Sequence, residues 1–247
     1  VKYPKVKLAD RGSYQIRVSL KAKHVYIKVS HLGEVEVVVP KGFDQRRIPE
    51  ILQRRQDWIA KTIERIEAER QLVQSEPAGV LPERILLRSL AEEWSVTHRP
   101  LDGTSVKLFV VGDRQLVLQG LLEKDMCQEA LRRWLTRKAY LHLIPWLERV
   151  SQDVTLTFSK ASVRGQKTRW ASCSSKKSIS LNYKLLFLPP HLVRYVFIHE
   201  LCHTIHLNHS LNFWTLVAQK EPNYKQLDIE LRKAWRYVPT WVERDEQ

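Results

Sequence analysis

The chain has 247 residues, 43% of them hydrophobic and 28% charged, which is the composition of an ordinary globular protein with enough chain for one large core or two smaller ones. No apolar run approaches the roughly 20 residues that span a bilayer, and Val1 to Lys7 lacks the apolar stretch of a secretory signal. No membrane association is therefore expected, and cytoplasmic residence is the default expectation. Lys and Arg number 41 against 27 Asp and Glu, a formal charge of +14, which points either to polyanionic partners such as nucleic acid or nucleotides, or to a plain solvated basic surface.

In chain order, Tyr14 to Val18 and Val25 to Val29 alternate apolar and polar residues, the pattern of strands with one buried face, and Val35 to Val39 is a third strand-like run. His31-Leu32-Gly33 reads as a hairpin loop and Pro40-Lys41-Gly42 as a turn, so a small β-meander is expected. A helix follows from about Asp44 to Val73, with Ile48, Ile51, Leu52, Ile59, Ile63 and Ile66 on one stripe and arginines opposite. Ser75 to Pro82 is rich in breakers. Further strands are expected at 85–87, 94–97, 106–111 and 115–118, with turns at Asp102-Gly103 and Gly112-Asp113. From Asp125, a suitable cap, a second long helix should run until Pro145 ends or kinks it near Ile144. No internal repeat is apparent. The expected class is α+β, with a β-rich region over 1–122 and a catalytic domain over 123–247.

The segment Pro189-Pro190 through His203 reads as a helix that starts on prolines and is apolar almost all round, hence buried. Into it the sequence sets His199, Glu200 and His203. The two imidazoles are one turn apart and can meet one ion, while Glu200 lies about 100° round the helix, placed to hydrogen-bond a water at that ion. This is the H-E-x-x-H arrangement of zinc peptidases. A third ligand must come from elsewhere. His206 would lie about 10 Å from His199 along a continued helix. His209 can reach if the helix stops, with Asn208 a tolerable terminator, and Glu221 and Glu230 are rivals. Gly stands in the metzincin pattern where this chain has His206, which argues against a metzincin proper.

Lys167-Thr168-Arg169-Trp170-Ala171-Ser172-Cys173-Ser174, then Ile179-Ser180-Leu181-Asn182, the His-Glu helix, and Asn208-His209-Ser210 with Phe213-Trp214 together resemble the YgjP-like metallopeptidase family, a relative of the SprT-like zinc proteases. The resemblance implies a zincin-like catalytic domain, Zn2+ on His199, His203 and His209, and Glu200 as base. The chain departs at Ala171, where the family usually carries Gly, and a positive φ there would strain an alanine.

In such a site zinc activates a water and Glu200 takes its proton, with Arg169, His206 and Tyr183 as candidates for contact with the substrate or its oxyanion. Trp170 and Trp214 read as core aromatics closing the site. Asn182 fits a cleft wall and a strand end equally well. Cys173 lacks the His and Asn pattern of a thiol nucleophile, and Cys202 reads as a small filler. The leading expectation is a zinc metallopeptidase acting on peptide or protein, with nucleic acid a possible associate. The rivals are a metal-dependent phosphohydrolase acting on a nucleoside triphosphate and a non-catalytic zinc-stabilised module that binds polyanions. Arginines clustered at the site would favour the former rival; an open groove with a free strand edge would favour the peptidase.

Overall fold

The computed structural model describes residues 5–7, 13–71 and 81–243, and its class is the expected mixture of strands and helices. By its contacts the chain divides into Val1–Ser75 and Glu76–Gln247. The boundary expected near residue 122 falls inside the second unit, because the strands before it share one apolar cluster with the helices after it: Ile85, Leu87, Leu116 and Leu118 pack with Leu131, Leu135 and Leu186. The expected helix end at Val73 and most of the breaker-rich stretch from Ser75 lie outside the described residues.

The first unit holds β1 (Lys5–Lys7), β2 (Ser13–Ser19), β3 (Tyr26–Val29) and β4 (Val35–Pro40), then α1 (Ile48–Arg54) and α2 (Gln56–Gln71). The strand order is β1-β2-β4-β3, so the strands do not form the expected meander. Strands β3 and β4 make the predicted hairpin, with Gly33 at φ 82° in its loop, but β2 pairs in parallel with β4 instead of with β3. The reason lies in β4: Val37, Val38 and Val39 are at most 1% exposed, and a strand buried on consecutive residues belongs in the middle of a sheet. The single helix expected from Asp44 breaks at Arg55, between α1 and α2. Ile48, Leu52 and Ile59 close the core over Tyr14, Ile16, Val35, Val37 and Val39.

The second unit opens with β5 (Arg84–Leu87), β6 (Glu92–Pro100), β7 (Val106–Val111) and β8 (Gln115–Gly120), in the order β5-β6-β8-β7. Its central pair β6·β8 is parallel and its outer pairs antiparallel, which repeats the topology of the first sheet strand for strand. A repeat is thus present in the topology, although none is apparent in the residues. Helix α3 (Lys124–Asp153) follows, 30 residues long. Glu123 takes its N-cap position, and Asp125 lies in the first turn. The helix runs through Pro145 rather than ending there, since the proline is exposed on the solvent side while Leu143, Leu147 and Val150 are held in the core. Among the described residues no helix is long and apolar enough to cross a membrane.

A small sheet, β9 (Lys160–Arg164), β10 (Ala171–Cys173) and β11 (Ser178–Asn182), is ordered β10-β11-β9, so β10 is an edge. Then come α4 (Pro190–Cys202), α5 (Leu211–Lys220) and α6 (Tyr224–Arg232), with α4 packed against α3, α5, α6 and β10. Leu192, Val193, Tyr195, Phe197, Ile198 and Leu201 are fully buried, which makes α4 the axis of this core.

Candidate metal centre

Pro190 occupies the first position of α4, where its missing amide costs no helix bond. The helix stops at Cys202, earlier than the expected break at Asn208. The Thr204 hydroxyl donates to the Leu201 carbonyl at 2.7 Å, and the amides of Ile205 and His206 both turn back to the Cys202 carbonyl. The chain then reverses, and Ser210 caps α5 by accepting from the Phe213 amide. His209, immediately before that cap, is thereby returned to the end of α4.

The ligand nitrogens of His199, His203 and His209 all lie within 4.8 Å of one another. The Nε2 atoms of His199 and His209 are 3.1 Å apart, close to the roughly 3.3 Å edge of a tetrahedron with zinc–nitrogen arms of about 2.0–2.1 Å. Burial, and then the neighbouring His203 and His209, push His199 down to about 3. Its imidazole is therefore neutral at physiological pH, the form a metal needs. His203 Nδ1 donates to the His206 carbonyl at 2.9 Å, which fixes its tautomer and leaves Nε2 bare. Phe213 stacks on the His203 ring with centroids 4.3 Å apart, and Trp214 lies 5.6 Å from the His209 ring. The donor set and its tautomers fit a divalent metal.

Glu200 is 7% exposed. Burial raises its carboxyl to about 7, against the pull of the Arg169 charge and a hydrogen bond from the Cys173 amide. Its Oε2 is buried with no partner among the described residues, a cost of about 1–3 kcal/mol unless something else occupies the site.

The other expected residues fall into place unevenly. Arg169 is exposed in the loop before β10, its charge acting on Glu200. His206 contributes its carbonyl, to His203. Tyr183 is buried, and lines a separate cavity with Arg132, Lys184 and Glu243. Gly165 is required there, since a Cβ would come within 2.6 Å of the Tyr183 ring. The rival ligands are engaged elsewhere: Glu221 accepts from Arg194 at 3.1 Å and Glu230 pairs with His191 at 3.0 Å. Ala171 sits in β10 without a positive φ, so it carries no such strain.

Asn182 is fully buried and donates to the carbonyls of Gln166 and Arg169, both at 2.8 Å, while accepting from the Lys184 amide at 3.1 Å. It holds the loop that carries Arg169. Trp170 stacks on Trp235 at 4.1 Å. The Cys173 thiol is pushed up to about 11 by burial and the nearby Glu200, which removes it as a nucleophile. Cys202 is fully buried. Two contributors escaped the sequence reading. Tyr195, edge-on to His199 at 6.2 Å, stands one turn before it, a spacing that could have found it. The Cys173 amide has no side-chain signature at all.

A family model described as YgjP-like, metallopeptidase domain, matches residues 23–234. Among solved structures, the metallopeptidase zymogen of Pyrococcus abyssi abylysin is similar at 25% identity and a TM-score of 0.33, over 36% of this chain and 90% of that one. The metallopeptidase zymogen of Methanocaldococcus jannaschii jannalysin is similar at 17% identity and a TM-score of 0.33, over 37% of this chain and 94% of that one. The comparison with curated proteins gave no match.

Proposed function

Because the chain belongs to the YgjP-like metallopeptidase family, and so is a metal-dependent hydrolase, we propose that it cleaves peptide bonds with one zinc ion on His199, His203 and His209 and with Glu200 as general base. The observation that carries this reading is the convergence of three imidazoles to within 4.8 Å beside a buried carboxylate with an unengaged oxygen. Three neutral nitrogen ligands suit zinc, which keeps a further position open in catalytic sites. Bound there, the metal supplies Lewis acidity towards the scissile carbonyl.

Glu200 accepts a proton from the attacking water through Oε2 and returns it to the leaving amine, for which a carboxyl raised by burial has suitable basicity. The Cys173 amide holds the carboxylate in place. Arg169 is the group we assign to the developing oxyanion, positioned by Asn182. His206 acts through its carbonyl, which orients His203. The strand edge supports a peptide substrate. The Asn182 amide donates to the Trp170 carbonyl, and from that phase Ala171 and Cys173 turn their backbone groups away from β11. An extended substrate pairs there through the Ala171 amide and carbonyl and the Cys173 carbonyl, the Cys173 amide being held by Glu200. Aromatic rings, rather than clustered arginines, surround the imidazoles, which favours peptide over nucleoside triphosphate. The charge of +14 fits a cytoplasmic peptidase working near polyanions, nucleic acid among them.

Elemental analysis of the purified chain beside His199→Ala and His209→Ala is the test, with digestion of a mixed peptide library in parallel. About one zinc per wild-type chain, lost from both variants, with cleavage lost alongside, is the expected result. Wild type free of zinc after purification without chelator, or zinc kept by His209→Ala, would sink the assignment.

A further inference from the structure

Among the described residues, strand β7 is an edge of its sheet, paired only with β8. The Leu121 amide donates to the Ser105 carbonyl just beyond this pair, which sets the phase of the ladder. Residues 107, 109 and 111 exchange hydrogen bonds with β8, and Val106, Leu108 and Val110 turn their amides and carbonyls to the open side. Residues 106–110 also line a groove of about 690 Å3 between β7 and α3. The edge is apolar and exposed: Phe109 is 44% and Val110 56% accessible. Four cations line the groove, Lys107, Arg133, Arg137 and Lys138, and among the described residues no carboxylate does. Lys138 is paired with Glu92 at 2.9 Å. Lys107, Arg133 and Arg137 have no acidic partner among the described residues.

We propose that this groove docks an extended acidic polypeptide segment, which adds to β7 as a further strand. Two features of the groove select that occupant. Its β7 side is an open strand edge with donors and acceptors in alternation, and an extended backbone answers both. A phosphate backbone brings acceptors alone and would leave the carbonyls of Val106, Leu108 and Val110 facing oxygen. Its unpaired cations then choose acidic side chains over basic ones. An apolar strand edge of this kind is ordinarily blunted by charge, proline or a covering element, and Lys107 is the single charge within β7. The site stands whether or not the metal centre hydrolyses peptides, since the two share no residue.

The test uses the full chain and a fluorescein-labelled peptide of about ten residues that alternates Glu and Val, followed by anisotropy and by amide hydrogen exchange. Saturable binding is expected, with slowed exchange at Val106, Leu108 and Val110. The double variant Arg133→Ala, Arg137→Ala should weaken it about fivefold. Val110→Pro should weaken it about tenfold, since it deletes an outward amide but no bond to β8. Should that variant lose its fold, Val110→Glu sets a like charge against the incoming chain and should act in the same direction. The proposal is overturned by absence of binding, by binding that the edge and arginine variants leave unchanged, or by equal affinity for a peptide of alternating Lys and Val. It is also overturned if single-stranded oligothymidylate binds in a way that needs the two arginines but tolerates Val110→Pro, which would reassign the groove to nucleic acid.

Discussion

A buried carboxyl with one oxygen left without a partner among the described residues is a cost that packing alone does not explain, and Glu200 carries that cost beside three imidazoles. Replacing it with Gln keeps the shape and still offers an oxygen to the Cys173 amide, but removes the base. We expect Glu200→Gln to bind zinc as the wild type does, to unfold no earlier, and to lose about 10²–10⁴-fold in peptide hydrolysis. Turnover within a few-fold of wild type, at equal zinc content, would take Glu200 out of the mechanism. Asn182 makes a different prediction. Its three hydrogen bonds tie the 166–169 loop and the Lys184 amide to the end of β11, and Asn182→Ala strands all three partners. The expected loss is about 1–3 kcal/mol, read as a lower thermal midpoint together with weaker turnover. At this scale the sequence is a good guide where a side chain does the work at fixed spacing, as with His199, Glu200 and His203. It leaves the third ligand open among His209, Glu221 and Glu230, because that choice depends on where the chain reverses. It says nothing of Cys173 or His206 as they act here, since one contributes an amide and the other a carbonyl.

Two runs of consecutive buried apolar residues, Val37-Val38-Val39 and Leu116-Val117-Leu118, mark the central strands of the two larger sheets. Both break the alternation of their neighbours, so the signal for a parallel pairing is present in the residues, but the order of strands is not. Pro145 misleads for a related reason: local rules end a helix there, while the core contacts of Leu143 and Leu147 carry α3 past it. The link between β6 and α3 is also electrostatic. Burial pushes the Glu92 carboxyl up, but hydrogen bonds from Lys138 and the Trp94 indole, with the Lys138 charge, outweigh it and hold it below its ordinary 4.5. Glu92 and Lys138 are each only 15% exposed, so solvent screens the pair weakly. A carboxyl that is more acidic in the folded chain stabilises the fold fully above the unfolded value and loses that contribution as pH falls through the folded one. Urea midpoints measured from pH 6 downward should therefore fall more steeply for wild type than for Glu92→Gln below about pH 4.5. Parallel curves would show that Lys138 and Trp94 add nothing to the acid stability of this unit.

The two units have separate apolar cores: one cluster runs from Tyr14 to Ile59, the other from Ile85 to Val242. The boundary between them was hidden because strands lie on both sides of it and in the same order, so residues 84–120 look like a continuation of the first sheet when only composition is read. What separates them is the partner of each sheet. The first is closed by α1 and α2; the second packs on α3, which also supports β9 and α4. Every proposed metal ligand, the base, and the Asn182 and Cys173 groups that position them therefore belong to the second unit. A chain beginning at residue 76 should fold in one cooperative transition, bind about one zinc, and keep the zinc affinity of the full chain to within about threefold. Calorimetry and a zinc competition titration would check both points. A fragment that folds but holds zinc far more weakly would mean that the first unit contributes to the site; one that does not fold would mean that the second core, large as it is, depends on the first sheet for its stability.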